Sequence, residues 1–384
     1  MSYSKPLVFF GALVLAICIG QFVPIYIKSF VYACSLLIKG LLILVLPFVI
    51  FCLMFTSISA LGSKALKYIA LIIPLICCSN FINTMFSYFL SNISIRSGML
   101  GTLVSNKKMS ELAPLFEFNI DSIVSNDVAL IGGLLLSLVI GIAKPELTEK
   151  VCKYLNRFTD IFFKILTPLM PIFIVGTALK LQHDGILGEI CTKYLPILLM
   201  FIISAYGTVL LQFYILSNFN VSQTGMYLKN LTPAMVTAFG SMSSAAALPS
   251  SIEAAEKNVM NNKNNANIIA PASVNIHLVG DCFFIPMVAL SVMTSFGLSF
   301  PALYTYSVFA IHFVLAKFSV AAIPGGGVFV MFPIMQDYLH MSSDMLAIVT
   351  ALYLLFDPII TTCNVSGNGA LAIVFDRLTK IFKK

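Results

Sequence analysis

The segment from residue 351 to 374 holds a row of polar side chains inside an otherwise apolar stretch. These residues recur at positions i, i+4, i+7 and i+11, which places them on one face of a helix. They are Asp357, Thr361, Asn364 and Asn368. Because a carboxylate at membrane depth costs about 2.5–3.5 kcal/mol on insertion scales, the chain is expected to use it to hold a ligand. We interpret the row as part of a ligand-binding site.

The composition predicts an all-α polytopic membrane protein. Of the 384 residues, 59% are hydrophobic and 10% are charged, whereas soluble proteins carry about 25% charged residues. Apolar helices are expected near 6–27, 30–60, 66–92, 126–143, 158–181 and 194–217. Most Lys and Arg residues then fall on one side if the N-terminus is inside, which predicts cytoplasmic N- and C-termini. The net charge of +7 is explained by this topology and needs no nucleic acid partner.

Two later apolar segments are interrupted, and their arms of roughly 10–12 residues are too short to span a bilayer. The segment 230–258 has a small polar tip at 240–244, and the segment 305–338 contains Pro324 followed by three glycines. Such residues free backbone groups, and paired interrupted segments point to a transporter's binding site. Two ordinary kinked helices are the alternative. Between them, the segment 265–296 contains Asn275, His277 and Asp281, of which the last two share a helix face.

This order of features resembles the dicarboxylate/amino acid:cation symporter family, the glutamate-transporter homologues. The likeness is strongest over SMSSAAALPSSIEAAEKN, AAIPGGG and FDPIITTCNVSGNGALAIV. It implies eight transmembrane helices plus two re-entrant helical hairpins in a homotrimer of elevator type. Residues 1–220 would be mostly a trimerisation scaffold, with helices 66–92 and 194–217 joining the transport core. Residues 226–380, with a last helix at 345–376, would form that moving core.

The resemblance also assigns roles within the site. Ser243 and Ser244 match the first hairpin tip, which offers donors to the substrate carboxylate. Asp357 matches the carboxylate that pairs with the substrate ammonium, and this role agrees with its charge. Positions matching the gate at the second hairpin tip and the contacts on the last helix complete the set; they are Ile323, Gly325, Gly327, Thr361 and Asn364.

One departure from the family pattern concerns the substrate. Members that transport acidic substrates have an arginine three residues after the aspartate, where this chain has Ile360. Without a guanidinium group, a second substrate carboxylate would be buried unpaired, at a cost of about 2–5 kcal/mol. We therefore expect a neutral amino acid as substrate.

A second departure concerns the coupling ion. Val279 and Asn368 stand where the family has sodium-binding carboxylates. Our hypothesis is that Lys317 supplies a tethered positive charge, with Asp281 or Asp357 as its partner; alternatively, Lys317 snorkels to an interface. Protonation of His277 or Asp281 could provide proton coupling instead. The cation-site region is therefore expected at Asn275, His277, Asp281, Lys317, Asn364 and Asn368, with no metal assigned.

The sequence thus predicts a secondary active transporter of amino acids in the cell inner membrane, without a cofactor and coupled to Na⁺ or H⁺. A cation-independent exchanger of neutral amino acids is one alternative, and a membrane protein that binds without transporting is another. We do not expect an enzyme, because the chain shows no nucleophile–base set, metal-ligand spacing or phosphate loop.

Overall fold

The computed structural model describes residues 16, 19–60, 66–98, 112–116, 123–124, 126–143, 145–184, 194–320 and 326–381. Within these ranges every regular element is a helix, which confirms the all-α fold class. Three helices contain segments long and apolar enough to cross a membrane, judged by length and composition: Leu71–Arg96, Leu195–Leu216 and Ser343–Lys380.

The N-terminal half contains six α-helices in the described ranges. They are α1 (Ile25–Ala60), α2 (Leu66–Arg96), α3 (Asn126–Ala143), α4 (Pro145–Leu166), α5 (Met170–His183) and α6 (Leu195–Leu216). Short 3₁₀ turns lie at Gly20–Phe22 and at Thr167–Leu169. The helix α1 packs mainly against α3 and α5.

The C-terminal half is built from shorter helices and one long helix. They are α7 (Val221–Ser241), α8 (Leu248–Asn258), α9 (Asn264–Ser273), α10 (Val279–Ser295), α11 (Leu303–Ala316), α12 (Gly326–Phe329), α13 (Phe332–Leu339) and α14 (Ser343–Ile381). A 3₁₀ turn at Lys317–Ser319 follows α11. The helix pair α7–α8 and the interrupted pair α9–α10 lie where the sequence predicts a hairpin and a broken helix.

Two predicted helix boundaries are wrong. The expected break between 27 and 30 is absent, because α1 runs continuously from Ile25 and Lys28 is buried instead of lying in a loop. The helix expected at 158–181 is instead divided at Thr167–Leu169, and its first part begins at Pro145. Pro168 and Pro171 lack the backbone N–H that a continuous helix needs. The predicted helix 6–27 lies largely outside the described residues.

The centre of the fold is the contact between α10 and α14. Nearly every residue of α10 is buried, and it packs against α14 and α2. A Cβ on Gly280 would collide with the Ile360 carbonyl oxygen and lie 3.1 Å from Cys363 Cβ. Glycine therefore lets α10 approach the backbone of α14 closely.

A polar anchor fixes the end of α14 to the start of the broken helix. The buried carboxylate of Asp376 accepts hydrogen bonds from the backbone N–H groups of Met260, Asn261 and Asn262, at 3.1, 2.9 and 3.0 Å. Asn265 Nδ2 donates to the same carboxylate at 2.7 Å. This anchor sets how α14 meets the hairpin and the broken helix.

Candidate functional site

Three residues of the polar row of α14, namely Asp357, Thr361 and Asn364, line a cavity that is walled by three other parts of the C-terminal half. Its empty volume is about 360 Å³, which includes space open to solvent. The turn between α7 and α8, the break between α9 and α10, and the segment after α11 contribute the other walls. The lining residues are Met242, Ser243, Ser244, Val274, Asn275, Leu278, Asp281, Val320, Gly327, Tyr353, Asp357, Thr361 and Asn364.

The hairpin turn presents its polar tip to the cavity. Met242 adopts the left-handed conformation with φ of 50°, which ends α7. Ser243 Oγ then accepts a hydrogen bond from the Ala246 N–H at 3.3 Å, and Ser244 is buried. The turn therefore brings serine hydroxyls and backbone groups to the cavity wall, as the sequence predicts for a site that holds a carboxylate.

Asp357 is buried and lies one helical turn from Thr361, whose hydroxyl donates to its Oδ1 at 2.9 Å. Pro358 follows it inside the helix, so α14 lacks one backbone donor at this level. The carboxylate lines the cavity, where it can receive a positively charged group of a ligand.

The Asp281 carboxylate accepts hydrogen bonds from three side chains of the site. Its Oδ2 accepts from Lys317 Nζ at 2.9 Å, and the side chains of the pair are 2% and 0% exposed respectively. Its Oδ1 accepts from Asn364 Nδ2 at 3.1 Å and from the Tyr353 hydroxyl at 3.3 Å. Of the two partners that the sequence allowed for Lys317, the structure has Asp281. The complete burial of Lys317 excludes the snorkelling alternative.

The break before α10 is held by side chains of α2. Asn80 donates to the Ile276 carbonyl oxygen at 2.7 Å and accepts from the Leu278 N–H at 3.3 Å. His277 lies between Ser79 Oγ, 2.8 Å from its Nε2, and Asn368 Oδ1, 2.9 Å from its Nδ1. With Nδ1 protonated toward the amide oxygen, a neutral imidazole satisfies both contacts. In this arrangement the structure connects His277 and Asn368 to each other and not to the cavity.

Asn275 carries an unusual feature for a residue that lines the cavity. Its Oδ1 atom is buried and has no hydrogen-bond partner within the described protein. A buried acceptor left unpaired costs about 1–3 kcal/mol, and a ligand that donates a hydrogen bond would remove that cost.

Several predicted site residues lie elsewhere. Ile360 belongs to the hydrophobic core and is not among the described lining residues. The side chain of Val279 packs against Gly367 of α14, so an apolar group fills this helix contact. Ile323 and Gly325 lie outside the described residues, whereas Gly327 lines the cavity.

Tyr353 is a site residue that the sequence reasoning missed. Its hydroxyl donates to Asp281, and its side chain lines the cavity. The signal was present, because Tyr353 lies four residues before Asp357 and extends the polar row of α14 by one turn. A tyrosine at the apolar end of the row is equally compatible with a core position, so the pattern alone does not place it at the cavity.

Apolar helices that enclose a polar cavity, including three segments long enough to cross a bilayer, define an integral membrane protein with an internal ligand site. Residues 7–378 match the model of the sodium:dicarboxylate symporter family, and the chain belongs to this family. The resemblance recognised in the sequence is thereby confirmed. The family description names symporters and not enzymes, in agreement with the expectation that the chain is not an enzyme.

Two kinds of curated relatives are similar to this chain. It is 21% identical over 268 residues to the excitatory amino acid transporter 1 of Rattus norvegicus, covering 66% of this chain and 48% of the relative. It is 27% identical over 282 residues to the L-cystine uptake protein TcyP of Bacillus thuringiensis (strain Al Hakam), covering 70% of this chain and 59% of the relative. The chain thus spans about half the length of the curated relatives it matches.

Proposed function

We propose that this protein is a secondary active transporter of neutral amino acids across the cell inner membrane. The observation that carries the proposal is the charge of the cavity. Among its described lining residues the acidic ones are Asp281 and Asp357, and none is basic. The ammonium of Lys317 offsets Asp281, which leaves the cavity with the charge of one carboxylate, complementary to one substrate ammonium.

Each end of an α-amino acid finds a complementary group in this cavity. The ammonium would lie at Asp357, beside the Thr361 hydroxyl, and could also donate to the unpaired Asn275 Oδ1. The carboxylate would lie at the turn of Ser243 and Ser244. The names of the relatives, an excitatory amino acid transporter and an L-cystine uptake protein, support an amino acid as the substrate class.

The same charge argument disfavours acidic substrates. A second carboxylate would enter a cavity that already carries a negative charge and would find no basic side chain among the described lining residues. At about 2–5 kcal/mol for an unpaired buried charge, affinity for glutamate would fall about 30-fold to several thousand-fold below that for a neutral analogue.

The finer architecture is part of this proposal. Family membership supports eight transmembrane helices and two re-entrant hairpins, with residues 226–380, helix 66–92 and helix 194–217 moving against the scaffold. It also supports a homotrimer, and the distribution of Lys and Arg supports cytoplasmic termini. The family description supports coupling to a cation, Na⁺ or H⁺.

Exchange in proteoliposomes tests the substrate class. Vesicles preloaded with a mixture of unlabelled amino acids would be given labelled alanine, serine, cystine, glutamate or aspartate outside. We expect uptake of neutral substrates and little uptake of acidic ones. Asp357→Asn should abolish uptake, whereas Asp160→Asn, a matched change of an exposed residue on α4, should not. Preferred uptake of glutamate would contradict the proposal, and absence of any amino-acid uptake would favour the alternative of a membrane protein that binds without transporting.

A further inference from the structure

The pair of Lys317 and Asp281 forms a buried ion pair directly behind the substrate cavity. The charged atoms lie 2.9 Å apart, and both side chains are almost completely buried. The ammonium also lies 4.5 Å from the centroid of the Phe313 ring, a favourable position for a cation. Because a buried charge needs a partner of opposite sign, each member of the pair depends on the other.

The surroundings of Asp281 are donors and not further ligands for a metal ion. Lys317 occupies Oδ2, and Asn364 and Tyr353 donate to Oδ1. Hard cations in proteins bind several oxygen atoms, usually including a carboxylate. A sodium ion at Oδ2 would have to displace the ammonium of Lys317. The built arrangement therefore fits a tethered ammonium better than an ion from solution.

Among the described residues, the positions next to Asp281 offer no replacement carboxylate. Val279 packs against Gly367, and the Asn368 amide oxygen is engaged by His277. The other carboxylate of the cavity, that of Asp357, is the one assigned above to the substrate. Lys317 therefore supplies the positive charge that the buried carboxylate of Asp281 needs.

We propose, on the basis of the proposed function, that the ammonium of Lys317 is the built-in cation of this transporter and takes the place of a coupling ion at Asp281. It neutralises Asp281 whether or not substrate is bound, so the core crosses the membrane without taking sodium from solution at this position. Exchange of neutral amino acids then requires no sodium. Removing the ammonium should create a cation site that the natural protein lacks.

Thermal unfolding of the purified full-length protein tests this directly and needs no knowledge of the substrate. Wild type, Lys317→Met and a Lys257→Met control would be compared in sodium, methylammonium and N-methylglucamine chloride at equal ionic strength. Lys257 pairs with Glu253 on the surface, so its loss should create no buried site. We expect sodium or methylammonium to raise the Tm of Lys317→Met by at least about 2 °C relative to N-methylglucamine. Wild type and the control should show no such rise.

Two further variants make the result specific. The double variant Asp281→Asn/Lys317→Met keeps the cavity but removes the carboxylate, and its Tm should not respond to any of these cations. Lys317→Gln replaces Lys317→Met if the latter does not fold. A wild type stabilised by sodium as much as the variant would overturn the inference. So would a folded Lys317→Met or Lys317→Gln protein that responds to none of the cations.

The transport assay separates this inference from the proposed function. Wild-type exchange of neutral amino acids should proceed at the same rate in sodium and in N-methylglucamine, whereas exchange by Lys317→Met should be faster in sodium or methylammonium than in N-methylglucamine. Neutral exchange that depends on sodium in the wild type would overturn the role of Lys317 and leave the substrate class intact. If wild type moves no amino acid at all, the proposed function fails, and the thermal measurement still decides the role of Lys317.

Discussion

The buried pair of Lys317 and Asp281 makes a quantitative prediction about stability and pH. We consider Lys317→Met, Asp281→Asn and the double variant. The pair is almost fully buried at 2.9 Å, so neither single variant can leave its remaining charge hydrated. The cheaper course for each is to neutralise the group by gaining or losing a proton.

The cost follows from the ordinary pKa values of the two side chains. Neutralising an aspartate of pKa about 3.9 at pH 7 spans roughly three pH units and costs about 4 kcal/mol. Neutralising a lysine of pKa about 10.4 costs about 5 kcal/mol. Breaking a buried pair typically costs about 3–5 kcal/mol, whereas replacing both partners is often neutral. We therefore expect each single variant to lose about 3–5 kcal/mol and the double variant less than about 2 kcal/mol.

The two single variants should respond to pH with opposite signs. In Lys317→Met the native state holds a proton on residue 281 that the unfolded chain releases at pH 7. The loss of unfolding free energy in this variant, relative to wild type, therefore shrinks by about 1.4 kcal/mol for each unit that the pH falls toward 4. In Asp281→Asn the native state lacks a proton that the unfolded chain binds on residue 317. The loss of unfolding free energy in this variant therefore shrinks as the pH rises toward 10.

The assay must suit this chain, which contains no tryptophan and nine cysteines. A thiol-reactive fluorescent dye reports unfolding, because Cys282 and Cys363 are buried in the native core. Tm would be measured from pH 6 to pH 8.5 in N-methylglucamine chloride, so that no small cation replaces the ammonium. Additive losses in the double variant, or the same pH trend in both single variants, would refute the buried ion pair.

Three further predictions concern neighbouring contacts. Tyr353→Phe removes one 3.3 Å hydrogen bond to Asp281 and should cost about 1–1.5 kcal/mol in thermal unfolding; no loss would mean that the hydroxyl does not contact the carboxylate. Asp376→Asn weakens an acceptor of three backbone N–H groups and should cost at least about 2 kcal/mol by the same measurement, more than the exposed control Asp160→Asn. Gly280→Ala places a methyl group against α14 and should cost about 1–3 kcal/mol through overpacking; an unchanged or raised Tm would show that the helices can separate freely.

Much of this fold was accessible from the sequence because membrane helices leave strong signals. The polar row of α14, the turn at Ser243 and the break near His277 each combine polar or helix-breaking residues with apolar flanks. Such combinations are costly inside a bilayer, so they are informative. The division of the chain into a scaffold and a transport core remains a prediction.

The predictions from sequence fail at residues whose positions are set by tertiary packing and not by the local pattern. Lys28 lies in the break expected between residues 27 and 30, yet α1 continues through it and buries it. Ile360 was predicted to lie in the substrate site, but its side chain packs in the core. Tyr353 was overlooked because an aromatic residue at helical spacing is compatible with a simple core role. Only the packing of α10 on α14 shows which of these side chains reach the cavity.

The two carboxylates of the site are balanced in different ways. One carboxylate, on Asp281, is paired with Lys317 through contacts within the protein. The other, on Asp357, lies four residues from Tyr353 on the same helix and lines the same cavity. If an α-amino acid binds as proposed, its ammonium lies at Asp357, so the loaded site balances this carboxylate with the substrate's own charge. In that proposal the ammonium of Lys317 balances Asp281 with or without substrate, so only the charge balance at Asp357 changes when a neutral amino acid binds or leaves.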